Sequence, residues 1–170
     1  MKCMKKNIVL IGMPSCGKST LAKLLANHFS MHWVDSDIEI EKEMHMPIAQ
    51  IFQDKGEAYF RDIEHQIILR LSSMENTIIA TGGGVVIREA NMRALKKQGF
   101  ILFIDRDISL LSASDPTRPL SNRLETLHTF RYPLYKKYAD AIVENNGKIK
   151  EVMPTLLRII GGTIYDHNNQ

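Results

Sequence analysis

The chain has 170 residues, 44% of them hydrophobic, enough for one domain (1–170) with a real core and too apolar for a disordered chain. Its formal charge of +3 is mild, suiting an anionic small molecule and falling short of the basic stripe that nucleic-acid binding needs. Two cysteines, Cys3 and Cys16, exclude a disulfide framework, and a bridge between them would distort the loop that holds Cys16, so reduced thiols and a cytoplasmic setting are expected.

In chain order, the basic start of residues 1–6 precedes only a short apolar run, which argues against a signal peptide; no stretch is long enough to span a membrane. Asn7-Ile8-Val9-Leu10-Ile11 reads as a strand. It runs into Gly12-Met13-Pro14-Ser15-Cys16-Gly17-Lys18-Ser19, the Gly-x-x-x-x-Gly-Lys-[Ser/Thr] spacing of a phosphate-binding loop, with Thr20 next. A helix over 17–29 follows, with Leu21, Leu24 and Leu25 on its apolar face. Further strands are expected at 32–35, 77–80, 100–105 and 141–144, and further helices at 37–44, 57–73, 88–98 and 124–138, with another near the C-terminus. Gly56 and Gly99 sit where helix-ending glycines belong, and Pro133 predicts a kink or break inside 124–138. Residues 112–123 lack periodicity and contain Pro116 and Pro119, so they read as a loop with the character of a mobile lid, and the polar tail 163–170 is expected to fray. Short strands alternating with amphipathic helices give an α/β fold, a parallel sheet covered by helices.

The chemistry gathers at strand ends. In the phosphate loop the glycines allow a tight bend that turns successive N–H groups into one anion-binding hollow, reinforced by the helix N-terminus. Lys18 can bridge outer phosphates and Ser19 can ligate Mg²⁺. Asp35-Ser36-Asp37 follows the second strand, where a parallel sheet presents its ligands. Asp35 can hold a water on Mg²⁺, and Asp37 can reach an acceptor hydroxyl; helix capping is the competing use of these carboxylates. Thr81-Gly82-Gly83-Gly84 ends the third strand and suits either close backbone approach to a ligand or a flexible turn. Arg61 stands three residues before Glu64 on a helix, as an exposed ion pair or as a charge clamp. Arg118 and Arg131 carry the same two readings. His28 and His32 lack a third ligand with metal-like spacing.

The set in order (the phosphate loop, Asp35-Ser36-Asp37, Gly56-Glu57…Phe60-Arg61…Glu64, Gly82-Gly83-Gly84, Arg118-Pro119-Leu120 and Arg131-Tyr132-Pro133-Leu134-Tyr135) resembles the shikimate kinase family over most of the chain. The resemblance implies a three-layer P-loop kinase fold with a five-stranded parallel sheet and a mobile lid. It implies transfer of the γ-phosphoryl of ATP, with Mg²⁺, to the 3-hydroxyl of shikimate in aromatic amino-acid biosynthesis, by a cytoplasmic monomer. By resemblance, Gly12 to Thr20 hold the nucleotide, Ser19 and (through water) Asp35 hold the metal, and Lys18, Asp37 and Arg118 are catalytic. Arg118 closes over the phosphates, while Asp37, Arg61, Arg131 and Gly82, Gly83 and Gly84 hold the substrate. Two departures stand out. Ser15 occupies a position the family usually gives to glycine, where a positive φ would strain it. Leu110, Leu111 and Ser112 stand where the family usually has an adenine-stacking arginine, and Arg123 has no assigned role. Alternatives are a gluconate or nucleoside monophosphate kinase of the same fold, or a nucleotide-dependent switch.

Overall fold

Five short segments rich in Ile, Val, Leu and Phe form strands β1 (Asn7–Ile11), β2 (His32–Asp35), β3 (Thr77–Ala80), β4 (Gly99–Asp105) and β5 (Ala141–Glu144). In the computed structural model, which describes residues 5–113 and 122–165, they form one sheet in the order β2-β3-β1-β4-β5. Every pairing is parallel. β1 and β3 are buried along their whole length, as expected of central strands covered on both faces, and this explains the apolar runs Ile8-Val9-Leu10-Ile11 and Ile78-Ile79-Ala80.

The helices are α1 (Lys18–Phe29), α2 (Ser36–Met44), α3 (Ile48–Ser72), α4 (Glu89–Gln98), α5 (Ile108–Ala113), α6 (Asn122–Tyr138) and α7 (Ile149–Tyr165), with a 3₁₀ turn at Val85–Ile87. The expected strands stand, with β4 beginning one residue earlier because Gly99 pairs with Asn7. The expected helix over 57–73 is the second half of a longer element. Residues from Ile48 are also helical, and Gly56 at φ 82° separates the two halves. Its second half carries the apolar face of Phe60, Ile63, Ile67 and Leu71 that made it legible, and all of these but Ile63 lie in the buried core.

Three expectations need correction. The loop expected over 112–123 is helical at both ends, where α5 reaches Ala113 and α6 begins at Asn122; residues 114–121 lie outside the described residues. The break expected at Pro133 does not divide α6, which continues to Tyr138. Packing on both sides outweighs the lost backbone bond, since Tyr132 and Tyr135 both lie against Phe103 of β4. Of the tail expected to fray over 163–170, residues 163–165 belong to α7, which runs to Tyr165. Residues 166–170 lie outside the described residues.

This topology brings the carboxyl ends of β1, β2 and β3 together at one edge of the sheet, where an open α/β sheet collects its ligands. Among the described residues, no helix is long and apolar enough to cross a membrane.

Candidate active site

The turn from β1 into α1 has the backbone its sequence calls for. Gly12 lies at φ 150° and Gly17 at φ 98°, and Gly17 caps α1, so the two glycines provide the bends that place N–H groups around a hollow. Ser15 also lies at positive φ, 64°, in the left-handed region that glycine occupies without strain. Lys18 is only 8% exposed and donates to the carbonyls of Gly12 at 2.9 Å and Met13 at 2.8 Å, so its ammonium is folded over the loop. The loop borders an open cleft of about 400 Å³ that Ser19, Thr20, Asp35, Asp37, Thr81 and Gly83 also line.

Of the two uses the sequence left open for Asp35, the structure shows the capping, and it leaves the second oxygen facing Ser19. One carboxylate oxygen caps α2, accepting from Asp37 N at 2.9 Å and Ile38 N at 3.4 Å. The other accepts a hydrogen bond from the Ser19 hydroxyl. A hydroxyl and a carboxylate facing one cleft are hard oxygen ligands of the kind Mg²⁺ takes while keeping its waters. Asp37, freed from capping, points along the cleft. Its carboxyl is pushed up to about 6 by burial first and then by the neighbouring charges of Asp35 and Glu64, against the pull of Lys18. It is therefore a base with a pKa close to neutral pH.

Beyond β3 the three glycines are held by three different partners. The Gly82 N–H is committed to Ser36 Oγ at 2.9 Å, and the Asp37 carboxylate fills the space a side chain at 82 would need. At Gly83 a Cβ would lie 2.6 Å from the Pro14 ring. At Gly84 it would strike the Arg61 guanidinium. Close approach on all sides is the physical reason for three glycines in a row, and the flexible-turn reading falls.

Arg61 is not an exposed pair. Its Nη1 donates to Glu64 Oε1 at 2.9 Å, and Glu64 is 1% exposed. Burial pushes the Glu64 carboxyl above its ordinary value, and the charges of Arg61 and then Arg131 pull it back. Arg131 itself is 8% exposed. Arg61 Nη2 also donates to the exposed Glu57 at 3.3 Å, so two guanidiniums stand near two carboxylates, one buried and one at the rim. The Nε atoms of both arginines and the second oxygen of Glu64 are buried with no partner among the described residues. The guanidinium donors left unpartnered suit an anion such as a small carboxylate.

Of the residues expected to form the site, the structure gathers the phosphate loop, Asp35, Asp37, Arg61, Gly82, Gly83, Gly84 and Arg131 at one end of the sheet. Arg118 lies outside the described residues, while Arg123 is exposed on α6. Leu111, where the adenine-side arginine is missing, is 3% exposed and packs into the core. Sequence reasoning missed two supports. Asn145, just after β5, donates from Nδ2 to Cys16 O at 2.8 Å and braces the phosphate loop. Tyr135, one helical turn beyond Arg131, donates to Gly83 O. Only its i, i+4 spacing from an arginine could have pointed to it.

The family model described as shikimate kinase matches residues 14–160. A shikimate kinase from Clostridium botulinum (strain Eklund 17B / Type B) is 40% identical over 163 residues, spanning 92% of this chain and 98% of that protein. Two solved structures share the fold closely. The shikimate kinase from Acinetobacter baumannii in complex with shikimate has a TM-score of 0.84 at 30% identity, covering 92% of this chain and 94% of its own. The shikimate kinase from Aquifex aeolicus vf5 has a TM-score of 0.81 at 35% identity, covering 92% and 96%.

Proposed function

The chain belongs to the shikimate kinase family, and on that premise we propose how its residues transfer the γ-phosphoryl of ATP to the 3-hydroxyl of shikimate. The observation that carries the proposal is the pairing, in one site, of a phosphate-binding loop with the cluster of Arg61, Arg131 and Glu64. The first takes a nucleotide polyphosphate; the second takes a small carboxylate. Asp37 lies between them, its carboxylate against Gly82.

The backbone amides from Gly12 to Thr20 cradle the phosphates, and Lys18 leaves the carbonyls of Gly12 and Met13 for the richer charge of the phosphate oxygens. Ser19 and Asp35 would hold Mg²⁺, which when bound would neutralise charge building on the phosphates. Arg61 and Arg131 take the acceptor carboxylate with the donors Glu64 leaves free, and Glu64 orients Arg61. Gly83 and Gly84 bring backbone close to the acceptor. Asp37 Oδ accepts a hydrogen bond from the acceptor hydroxyl, aligns its oxygen with the γ-phosphorus, and takes its proton as the new bond forms. A carboxyl raised to about 6 is largely ionised near neutral pH and holds a proton better than an ordinary carboxylate. Arg118 fits closure over the phosphates, which would exclude water and suppress idle ATP hydrolysis. Cys16 is a free, buried thiol beside Lys18, which suits a reducing compartment, so we place a monomeric enzyme in the cytoplasm.

The gluconate, nucleoside monophosphate and switch alternatives give way to the family match, which spans most of the chain. A coupled assay with ATP, Mg²⁺ and shikimate tests the proposal. ADP release that requires shikimate, and that Arg61→Ala and Arg131→Ala reduce mainly through the shikimate KM, is expected. Turnover indifferent to shikimate would refute it.

A further inference from the structure

Gly83 is held by two residues, and one holder has no part in the mechanism above. Tyr135 is fully buried on α6, with its ring stacked on Phe103 at 5.1 Å between centroids. Its hydroxyl donates to Gly83 O at 2.5 Å and lies 3.7 Å from Met13 Sδ in the phosphate loop. The Pro14 ring of the same loop occupies the space a side chain at 83 would need. The acceptor loop is therefore held by the phosphate loop and by a helix that also carries Arg131, one turn before Tyr135.

Three successive glycines have no side chains of their own to fix a conformation, so the loop must be fixed from outside. A trans peptide is planar, with its carbonyl and N–H pointing in opposite directions. Fixing Gly83 O therefore fixes the Gly84 N–H on the other side of the same plane.

We propose that Tyr135 is a positioning residue for phosphoryl transfer: its hydroxyl locks the Gly83–Gly84 peptide against Met13 and Pro14, holding the acceptor in register with the nucleotide phosphates. The inference rests on the reading of Gly83 and Gly84 as the acceptor-side backbone. Burial pushes the Tyr135 phenol far above its ordinary range, more than the charge of Arg131 and its hydrogen bond to the phenol oxygen lower it, so the group remains a donor at any pH where the enzyme works. No ionisable partner is needed, because the acceptor is a backbone carbonyl. One hydroxyl thus ties together donor loop, acceptor loop and acceptor-binding helix.

The test is Tyr135→Phe, which keeps the ring and its stack on Phe103 and removes only the hydroxyl. It leaves a buried carbonyl unpartnered and frees the loop, so kcat/KM for shikimate is expected to fall by about ten- to a hundredfold. The KM for ATP should remain within about twofold, since the phosphate loop keeps its own glycines and Asn145. Phe103→Leu serves as the control: it loosens the same stack, lowers the melting temperature and retains the hydroxyl, so its kcat/KM for shikimate should remain within about threefold. Unchanged shikimate kinetics in Tyr135→Phe overturn the inference, as do losses that follow the melting temperature alike in both variants. If the wild-type chain shows no shikimate-dependent turnover, the functional reading and this one fail together. If it is active and Tyr135→Phe matches it, this inference alone fails.

Discussion

Replacing Asp37 with asparagine should make the unliganded protein more stable and the enzyme nearly inactive. In the folded chain the Asp37 carboxyl is raised from 3.8 to about 6. At ~1.4 kcal/mol per pH unit, that interval corresponds to about 3 kcal/mol, which is an upper bound for a side chain that retains some water. About 1–2 kcal/mol is a fair figure for the cost of holding Asp37 ionised above pH 6. The sign follows from proton binding. Between 3.8 and about 6 the folded chain binds the proton and the unfolded chain does not, so stability falls as pH rises through this window. Below the window both states are protonated and the cost is absent; above it the cost is complete. Asparagine is neutral throughout and escapes it.

In ligand-free thermal melts at pH 7.5, Asp37→Asn should therefore melt roughly 2–8 °C above wild type, given about 2–4 °C per kcal/mol for a chain of this size. The gap should shrink towards zero as the pH is lowered to 4. Turnover should fall by at least about a hundredfold, with the KM for ATP little changed. Wild-type kcat/KM for shikimate should show an acidic limb near pH 6. A variant that melts at or below wild type at pH 7.5, or a gap that does not change with pH, would refute the electrostatic account of Asp37.

The arginine cluster separates two effects. Arg61→Ala removes the partner of buried Glu64 and should cost about 3 kcal/mol of stability as well as acceptor affinity, measurable by urea unfolding beside steady-state kinetics. Arg131→Lys keeps the charge and loses the planar fork, so the shikimate KM should rise by about tenfold at nearly constant stability; an unchanged KM would remove Arg131 from the acceptor site. At Ser15, relief of left-handed strain on changing to glycine, about 1 kcal/mol, is nearly offset by the freer unfolded chain, so Ser15→Gly should lie within about 0.5 kcal/mol of wild type. Ser15→Val, β-branched at the same φ of 64°, should lose more than about 1 kcal/mol in the same unfolding assay. Gly83→Ala drives a methyl against the Pro14 ring and should reduce kcat/KM by more than about tenfold while circular dichroism stays native.

What the sequence made legible was whatever has a local signature. The β1–loop–α1 unit could be read because the glycine spacing, the apolar strand and the apolar helix face fall within about two dozen consecutive residues. The amphipathic second half of α3 could be read by its period, but its first half, from Ile48 to Gly56, buries only Ile51 and carries no comparable stripe. Of the kink or break expected at Pro133, the break is absent because packing against Phe103, about thirty residues before Pro133 in sequence but adjacent to α6 in space, holds the helix together. Arg61 read alone suggested a surface pair, since nothing in its neighbourhood reports that its guanidinium packs against Gly84 or that Glu64 is buried near Arg131. Tyr135 and Asn145 were invisible for the same reason: each acts on a backbone carbonyl far away in the chain.

The site is assembled from elements that are individually unfavourable without ligand. Ser15 sits in a left-handed conformation, Asp37 is ionised against Asp35 and Glu64, Glu64 is buried with an unpartnered oxygen, and Lys18 is folded onto carbonyls of its own loop. The charges and donors among them are met by what a phosphoryl donor or a hydroxy acid brings. Phosphate oxygens satisfy Lys18, a substrate carboxylate satisfies Arg61 and Arg131, and an acceptor hydroxyl gives Asp37 a donor. The free enzyme therefore holds the charge arrangement of the complex before the ligands arrive, which is electrostatic preorganisation. Its cost is tolerable because the strain is confined to one edge of the sheet, while β1, β3 and β4 beneath it are packed apolar strands with no part in the chemistry. It also explains why the clamp on Gly83 matters. A preorganised field is useful only if the acceptor loop cannot drift within it, and a loop made of three glycines must be held by its neighbours.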